Sequence, residues 1–504
     1  MMTNYLLGID VGTSSVKATM IDDRAAVVAT ACAAYGLLPA PPEYRQLNTA
    51  SLLAAVSLAV SELGRQADLS KVRAIGISCL CPGLAAFDEA GHVLVDPIIY
   101  SDQRSVVQAE EIRQAIDNEE LFSHTANLPM PGAMSCTSML WIKENLPSIY
   151  QRTFCFGHIN TLVGVYLTGQ FAIDPSNASY TLLFDTTGTR DWSDLLCEKI
   201  GIPRNKLPPL LRSTDIVGLL NAPDMIALGL PADTPVIIGG GDTACASLAT
   251  GVVRGGDVCE SMGTTDVLTV CTETPVFRKE FINRCHVVEN CWIYQGAMSH
   301  TGSSLNWCRE QLCPDRVGGR GEPFDQLTQQ ADSQSCPGAN GVVFLPYMMG
   351  ERSPVWDPYA RGVFFGLSLN TTRADLVRAV LEASGYGILQ MMKLAEEATG
   401  QKITSFSAVG GASKSNLWTQ IKADITGADI TVLKVKDMAP IGAALLAGVG
   451  IGLFSDVYDA SSRVQRKPYK TFHSCPGQAG DIYAHRFQTY LALYPSLKSL
   501  FHPI

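Results

Sequence analysis

Two segments about half a chain apart constrain the fold more than any other feature. "GIDVGTSSVKATMID" near the start and "CESMGTTDVLTV" in the second half each read as an apolar strand, a turn of Gly, Thr and Ser, and a second strand with apolar residues at alternate positions. Turns of this kind expose several backbone N–H groups toward one point, which suits a phosphate oxygen as well as it suits a simple hairpin. Either turn alone leaves the two readings level. The repetition favours a duplicated architecture whose turns grip successive phosphates of one nucleotide. At 504 residues the chain exceeds one usual core, so two large domains are expected.

The strand runs "YLLGID", "VKATMID" and "AVVATACAAY" predict an antiparallel meander, with Asp22 and Asp23 at its second turn. Residues 51–64 have helical apolar spacing, and "VRAIGIS" followed by "GLAAFD" reads as a further strand pair. Helices alternating with strands give an α/β class. A Pro-rich stretch carrying "LPPLL", "NAPDM" and "LPADTPV" leads to a domain boundary near Ala244, dividing the chain into 1–244 and 245–504. A cleft between two such domains is the expected active site.

With 46% hydrophobic and 17% charged residues the chain reads as globular. Its 38 basic and 48 acidic residues, net -10, argue against nucleic acid or an anionic membrane surface as partner. The first residues lack the basic flank of a signal peptide. "MAPIGAALLAGVGIGLFS", from Met438, approaches spanning length, but its Gly, Ala and Pro content reads as a buried helix. Fifteen cysteines without C-x-x-C pairs suggest reduced thiols and a cytoplasmic location, and eight histidines without an i, i+4 pair give no transition-metal site.

An aspartate, Asp10, stands beside the first turn, where it would repel a polyanion. Mg²⁺ resolves the conflict, since it takes few protein carboxylates and completes its shell with phosphate oxygens and water; the plainer reading is that Asp10 hydrogen-bonds the turn. "VIIGGGDTACASL" sets Asp242 after three glycines at a helix start. It is an N-cap by type, and the absence of side chains before it would let a substrate hydroxyl approach as to a general base. "SAVGGASKSNLWTQIKADITG" predicts a strand, Gly410-Gly411, and a helix over 415–425 with Leu417, Ile421 and Ile425 on one face. Neither a Walker A nor a G-x-G-x-x-G pattern occurs.

Together these segments resemble the FGGY carbohydrate kinase family, most closely its xylulokinase branch. The resemblance rests on "GIDVGTSSVKA", "IIGGGDTACASL", "SMGTTDVL", "VGGASKSNLWTQIKADITG", "PIGAALLAGVGIG" and "FLPYMMGERSPVWDPYARGVFFGL", in order over nearly the whole chain. It implies two ribonuclease-H-like domains of the sugar kinase, heat-shock-chaperone and actin fold, and phosphorylation of a primary hydroxyl of D-xylulose or a related ketose. ATP and Mg²⁺ are the implied cofactors and a homodimer is the family expectation. It further implies Asp242 as base, Asp10 on Mg²⁺, and Gly12, Thr13, Ser14, Lys17, Gly263, Thr264 and Thr265 on the phosphates. Gly410, Gly411, Ala412 and Asn416 would lie beside adenosine.

The sugar side departs from the branch. Xylulokinases typically read S-G-Q-M-H-G where this chain has "SCLCPG", so Cys81 and Pro82, followed by Gly83, stand at the expected sugar contacts. "YSDQR" keeps Asp102 and Arg104, which either bind sugar hydroxyls or form a surface salt bridge with each other. Lost hydrogen-bonding groups change selectivity by orders of magnitude, so another polyol or a sugar acid is an open alternative. Asp266 stands where the family has a small residue, and strand alternation would turn it away from the phosphates. An actin-like ATPase switch and a non-catalytic sugar-binding regulator are the rival classes.

Overall fold

The computed structural model describes residues 4–312, 323–434, 437–475 and 477–502. Among the described residues the chain forms eighteen strands. β1 (Tyr5–Val11), β2 (Ser15–Asp22) and β3 (Val27–Ala34) form the expected antiparallel meander, and β4 (Val72–Cys79) joins β1 in parallel. Between β3 and β4 runs a helix, Thr49–Gly64, capped by the Asn48 side chain on Ser51 N–H. β5 (Gly83–Phe87), β6 (Val93–Ile99) and β7 (Cys155–Gly157) make a separate small sheet in the order β6-β5-β7. "VRAIGIS" and "GLAAFD" are therefore strands but not partners. The chain leaves the first sheet at Leu80–Pro82, and β5 pairs elsewhere.

β8 (Ile216–Leu219) and β9 (Pro235–Gly241) complete the first sheet, ordered β3-β2-β1-β4-β9-β8, with β9 parallel to β4. A second sheet begins with β10 (Val258–Met262), β11 (Asp266–Thr272), β12 (Ile282–Cys285) and β13 (Trp292–Met298). After β14 (Val343–Leu345) and β15 (Val363–Phe365), which pair only with each other, it resumes with β16 (Ser405–Val409), β17 (Asp429–Leu433) and β18 (Pro468–Phe472). Its order is β12-β13-β11-β10-β16-β17-β18, with β10 antiparallel to β11 and parallel to β16. β1 stands in the same way between β2 and β4.

The chain divides into two compact units, but not at one point. The first comprises Met1–Arg254, Asn283–Ile293 and Asp437–Gln465, and the second Gly255–Ile282, Tyr294–Lys436 and Arg466–Ile504. The first crossing falls ten residues beyond Ala244, and two later segments return to the first unit.

The apolar stretch from Met438 forms a helix of 13 residues, Met438–Gly450, buried on nearly every side. It lies on the first sheet because glycines remove the intervening side chains. A Cβ on Gly8 would sit 1.7 Å from Pro440 O, and one on Gly76 would sit 2.0 Å from Ala443 O. Among the described residues no helix is long and apolar enough to cross a membrane. Every described cysteine is a free thiol.

Candidate functional site

In the first unit, three adjacent parallel strands, β1, β4 and β9, end side by side. Open parallel sheets bind ligands at such carboxyl ends, because the loops there leave a crevice lined by backbone groups. Register pairs Asp10 with Ser78, and Ser78 with Gly240. Ser78 Oγ donates to Asp10 Oδ1 at 2.7 Å. Asp10 is only 6% exposed, and burial, reinforced by Asp242, pushes its carboxyl up to about 7 against the Ser78 hydrogen bond and Lys17. Beyond Asp10 the turn is closed by Gly12 N–H donating to Ser15 O at 3.0 Å, and Tyr35 caps it from both ends: its hydroxyl donates to Gly12 O and its N–H to Ser14 O. At the tip Ser14 is exposed and Thr13 half-buried. Lys17 faces Asp10 across the hairpin register, and its ammonium pairs with Asp437 at 2.6 Å.

Asp242 is not the N-cap. β9 runs to Gly241, which occupies the cap position, and the helix Asp242–Thr250 begins at Asp242 itself. Its Oδ1 accepts from Thr243 N–H at 2.6 Å, a position that also favours a negative charge near the helix N-terminus. Burial raises the Asp242 carboxyl, while Arg284, the Thr243 bonds and Lys17 lower it.

The three glycines before Asp242 serve protein atoms. A Cβ on Gly239 (φ +63°) would lie 1.7 Å from Ile77 O, on Gly240 2.4 Å from Val287 Cγ1, and on Gly241 2.0 Å from Arg284 Nη2. The space expected for a substrate hydroxyl is thus partly filled by a guanidinium. Arg284, in β12, is 1% exposed. It leans over the Tyr180 ring at 4.8 Å with Nη1 3.4 Å from the Tyr180 hydroxyl, while Nε and Nη2 have no hydrogen-bond partner. Sequence reasoning missed this residue, although a lone Arg in the apolar run "FINRCHVV" was a signal.

Cys81 is half-buried, Pro82 and Gly83 buried, and the Cys81–Pro82 peptide is cis. Burial pushes the Cys81 thiol far up, opposed by Arg284. A Cβ on Gly83 would strike Ile159 Cγ1 at 2.7 Å. Asp102 and Arg104 do pair with each other, but in the interior: their side chains are 0% and 3% exposed. Arg104 Nε and Nη2 reach Asp102 at 2.9 and 2.8 Å, Asp102 also accepts from Arg45 N–H at 2.6 Å, and the guanidinium stacks 3.9 Å above the Tyr44 ring. Of the two readings, sugar contact or a surface salt bridge, the pairing is the one formed, but as a buried ion pair rather than a surface one, with the carboxylate engaged by protein donors.

In the second unit the two predicted nucleotide segments meet. Gly263 N–H donates to Thr265 O at 3.0 Å to close the second turn. β16 runs parallel to β10 and delivers Gly410 (φ +102°) onto it, where a Cβ would lie 2.2 Å from Met262 O. A Cβ on Gly411 would meet only open space. Ala412 begins a short 3-10 turn, and Asn416 opens the helix Asn416–Thr426, its Oδ1 accepting from Lys470 at 3.1 Å. The helix Thr301–Leu312 was not anticipated: Gly302 abuts Gly263 O, and Ser303 N–H donates to Thr264 O at 3.2 Å. Asp266 is fully buried.

The two halves of the chain match the N-terminal domain of the FGGY family of carbohydrate kinases over residues 5–249 and its C-terminal domain over residues 259–451. The chain belongs to this family. It is a carbohydrate kinase, an ATP-dependent phosphotransferase, and the switch and regulator readings fall away. A xylulose kinase of Staphylococcus epidermidis is 29% identical, the match covering 99% of this chain and 98% of that one. A gluconokinase of Bacillus subtilis is 26% identical over 93% of this chain and 92% of its own. The crystal structure of the xylulose kinase from Rhodospirillum rubrum superposes with a TM-score of 0.91 at 26% identity, covering 99% of this chain and all of that one.

Asp10 and Asp242 fit Mg²⁺ by their chemistry. Both carboxyls are raised by burial, and Asp242 raises Asp10 further, a penalty that a divalent cation would relieve. Among the described residues no group of three or more His, Cys, Asp or Glu side chains could hold a metal ion.

Proposed function

We propose that this kinase transfers the γ-phosphoryl group of ATP to a primary hydroxyl of a small sugar, with Asp242 as general base. The observation that carries the reading is the adjacency of Asp10 and Asp242 at the ends of β1 and β9, linked through Ser78 and β4. Asp242 accepts the hydroxyl proton. Its raised proton affinity suits that role, because a base works best with a pKa near the working pH. Asp10 would hold Mg²⁺, which when bound supplies neutralisation of phosphate charge. Gly12, Thr13 and Ser14 and the Gly263–Thr265 turn offer N–H and hydroxyl donors to phosphate oxygens. Lys17 adds a positive charge that Asp437 already shares. Gly410, Gly411, Ala412 and Asn416 border the adenosine, where the open face of Gly411 allows flat approach of a base.

The sugar is a ketose such as D-xylulose in the first instance. Cys81, Pro82 and Gly83 would line its site, and Asp102 and Arg104 would shape the wall behind it, since their polar groups are spent on each other. A second reading, a sugar acid, is favoured by Arg284, a buried cation beside Asp242 and Cys81 with two N–H groups unpartnered. ADP release with Mg-ATP, measured against ketopentoses, ketohexoses, alditols and aldonates, tests both. Strong stimulation by a ketose supports the first reading and by an aldonate the second. Uniform basal hydrolysis across the panel overturns both.

A further inference from the structure

The strands that carry the second turn are charged where a sheet interior is ordinarily apolar. Glu260 lies in β10 and Asp266 opens β11, so the two acids flank Gly263–Thr265 on either side. Lys422, in the helix Asn416–Thr426, sends its ammonium to both: Nζ lies 2.6 Å from Asp266 Oδ2 and also donates to Glu260 Oε1. All three side chains are 0% exposed. Glu260 Oε2 and Asp266 Oδ1 have no hydrogen-bond partner. Burial and the neighbouring Asp266 drive the Glu260 carboxyl upward, and Lys422 opposes them.

A buried triad of this kind is a poor source of stability. The desolvation of three ions offsets most of their attraction, and apolar residues of similar volume often serve stability as well. The triad's position suggests what it does instead. Gly263 N–H closes the turn on Thr265 O, and contacts from outside bear on it as well. Gly410 presses on Met262 O, Gly302 presses on Gly263 O, and Ser303 N–H holds Thr264 O. Lys422 adds a charged link between both legs of the hairpin and the helix that follows the Gly410–Ser415 segment.

We propose that Lys422, with Asp266 and Glu260, is a positioning unit that locks the Gly263–Thr265 turn to the Gly410–Asn416 segment, so that nucleotide affinity depends on it. The inference rests on the reading that these two segments hold the nucleotide. A variant that loses the ammonium keeps every group placed near ATP but lets the two segments drift in register, and the cost falls on the nucleotide rather than on the sugar.

The test is calorimetric titration of ADP into the full-length wild type and the variants Lys422→Met, Lys422→Arg, Asp266→Asn and Glu260→Gln, with KM for ATP and for the most stimulating sugar alongside. Lys422→Met is expected to weaken ADP binding by about tenfold or more, the coupling typical of residues in one ionic network, with the sugar KM within about twofold. Lys422→Arg restores part of the affinity. Glu260→Gln has the smallest effect, because the Lys422–Asp266 link survives. A folded Lys422→Met that binds ADP like the wild type, or that raises both KM values in parallel, overturns the inference. If Lys422→Met does not fold, Asp266→Asn, which keeps the side chain's shape, is decisive, and unchanged ADP affinity in that variant overturns it equally. A wild type that binds no ADP at all instead overturns the assignment of the two segments to the nucleotide.

Discussion

The hairpins of the two units are built alike and charged differently. β1 and β10 each pair antiparallel with the next strand and parallel with a later one, and each ends in a Gly-led turn closed by a backbone bond of 3.0 Å. In the first unit the nearby acids, Asp10 and Asp242, both carry proton affinities raised chiefly by burial, with Lys17 opposing at each and Arg284 at Asp242. In the second, Glu260 and Asp266 are tied to Lys422. The comparison teaches that turn geometry alone does not define a role. Carboxylates left under mutual repulsion are poised for a proton or a cation, whereas paired ones fix a shape.

The sharpest way to break this contrast is Asp242→Asn. Loss of the base should cut kcat by about 10³-fold, within the range for removed general bases. ADP affinity should stay near wild type, and turnover within tenfold of wild type would remove Asp242 from the chemistry.

Asp10→Asn comes next. Phosphorylation should fall by about 100-fold and respond more weakly to Mg²⁺, a loss of roughly 3 kcal/mol in the transition state. The ligand-free variant should also be more stable than wild type at pH 8. Burial pushes the folded Asp10 carboxyl up to about 7 from the 3.8 ordinary for an aspartate, so the folded state binds the proton more tightly. Its stability therefore declines as pH rises from that lower value through about 7, and Asn carries no such dependence. Melting temperatures of the two proteins that run parallel between pH 4 and pH 8 would contradict the placement.

A smaller effect is expected from Arg284→Met. Without the guanidinium, the Asp242 carboxyl rises further, and the acidic limb of kcat/KM should move to higher pH. Arg284→Lys should fall between, and an unmoved limb would show that Arg284 does not act on the base. The smallest effect should come from Arg104→Lys. It removes the forked contact and the Tyr44 stack, costing about 1–2 kcal/mol of stability in a thermal melt. The sugar KM should change little, and a large rise would return Arg104 to direct contact with sugar.

Legibility in the sequence followed the range of the interactions. The meander was readable because alternation of period two and the Gly-Thr-Ser turn are local signals. The helix Asn416–Thr426 was readable because Ile421 and Ile425 fall one turn apart on a buried face. Asp242's position at the helix start was legible, but its cap status was not, since that depended on where β9 ceased to pair with β4. β5 looked like the partner of β4 because adjacency in sequence is the usual guide, and only the exit of the chain at Pro82 placed it in another sheet. Arg284 showed in the sequence only as a lone charge in an apolar run, and neither it nor Lys422 could be matched to its partners there. Each meets its partners across more than 40 positions, Lys422 across 156 and 162, and no local pattern encodes such distances.

By itself, then, the sequence determined the family, the two Gly-rich hairpins, the strand-then-acid placement of Asp10 and Asp242, and the helices with one apolar face. These depend on backbone preference and side-chain period within about fifteen residues. Only the tertiary structure decided which charges stand together: Asp10 with Ser78 and Asp242, Asp102 with Arg104 in the interior, Arg284 against Gly241, and Lys422 between Glu260 and Asp266. The physical reason is that parallel strands and buried ions are joined through crossovers of many tens of residues. Their register is fixed by how glycine-lined surfaces pack, such as Gly8 and Gly76 beneath the helix Met438–Gly450, rather than by any neighbouring residue in the chain.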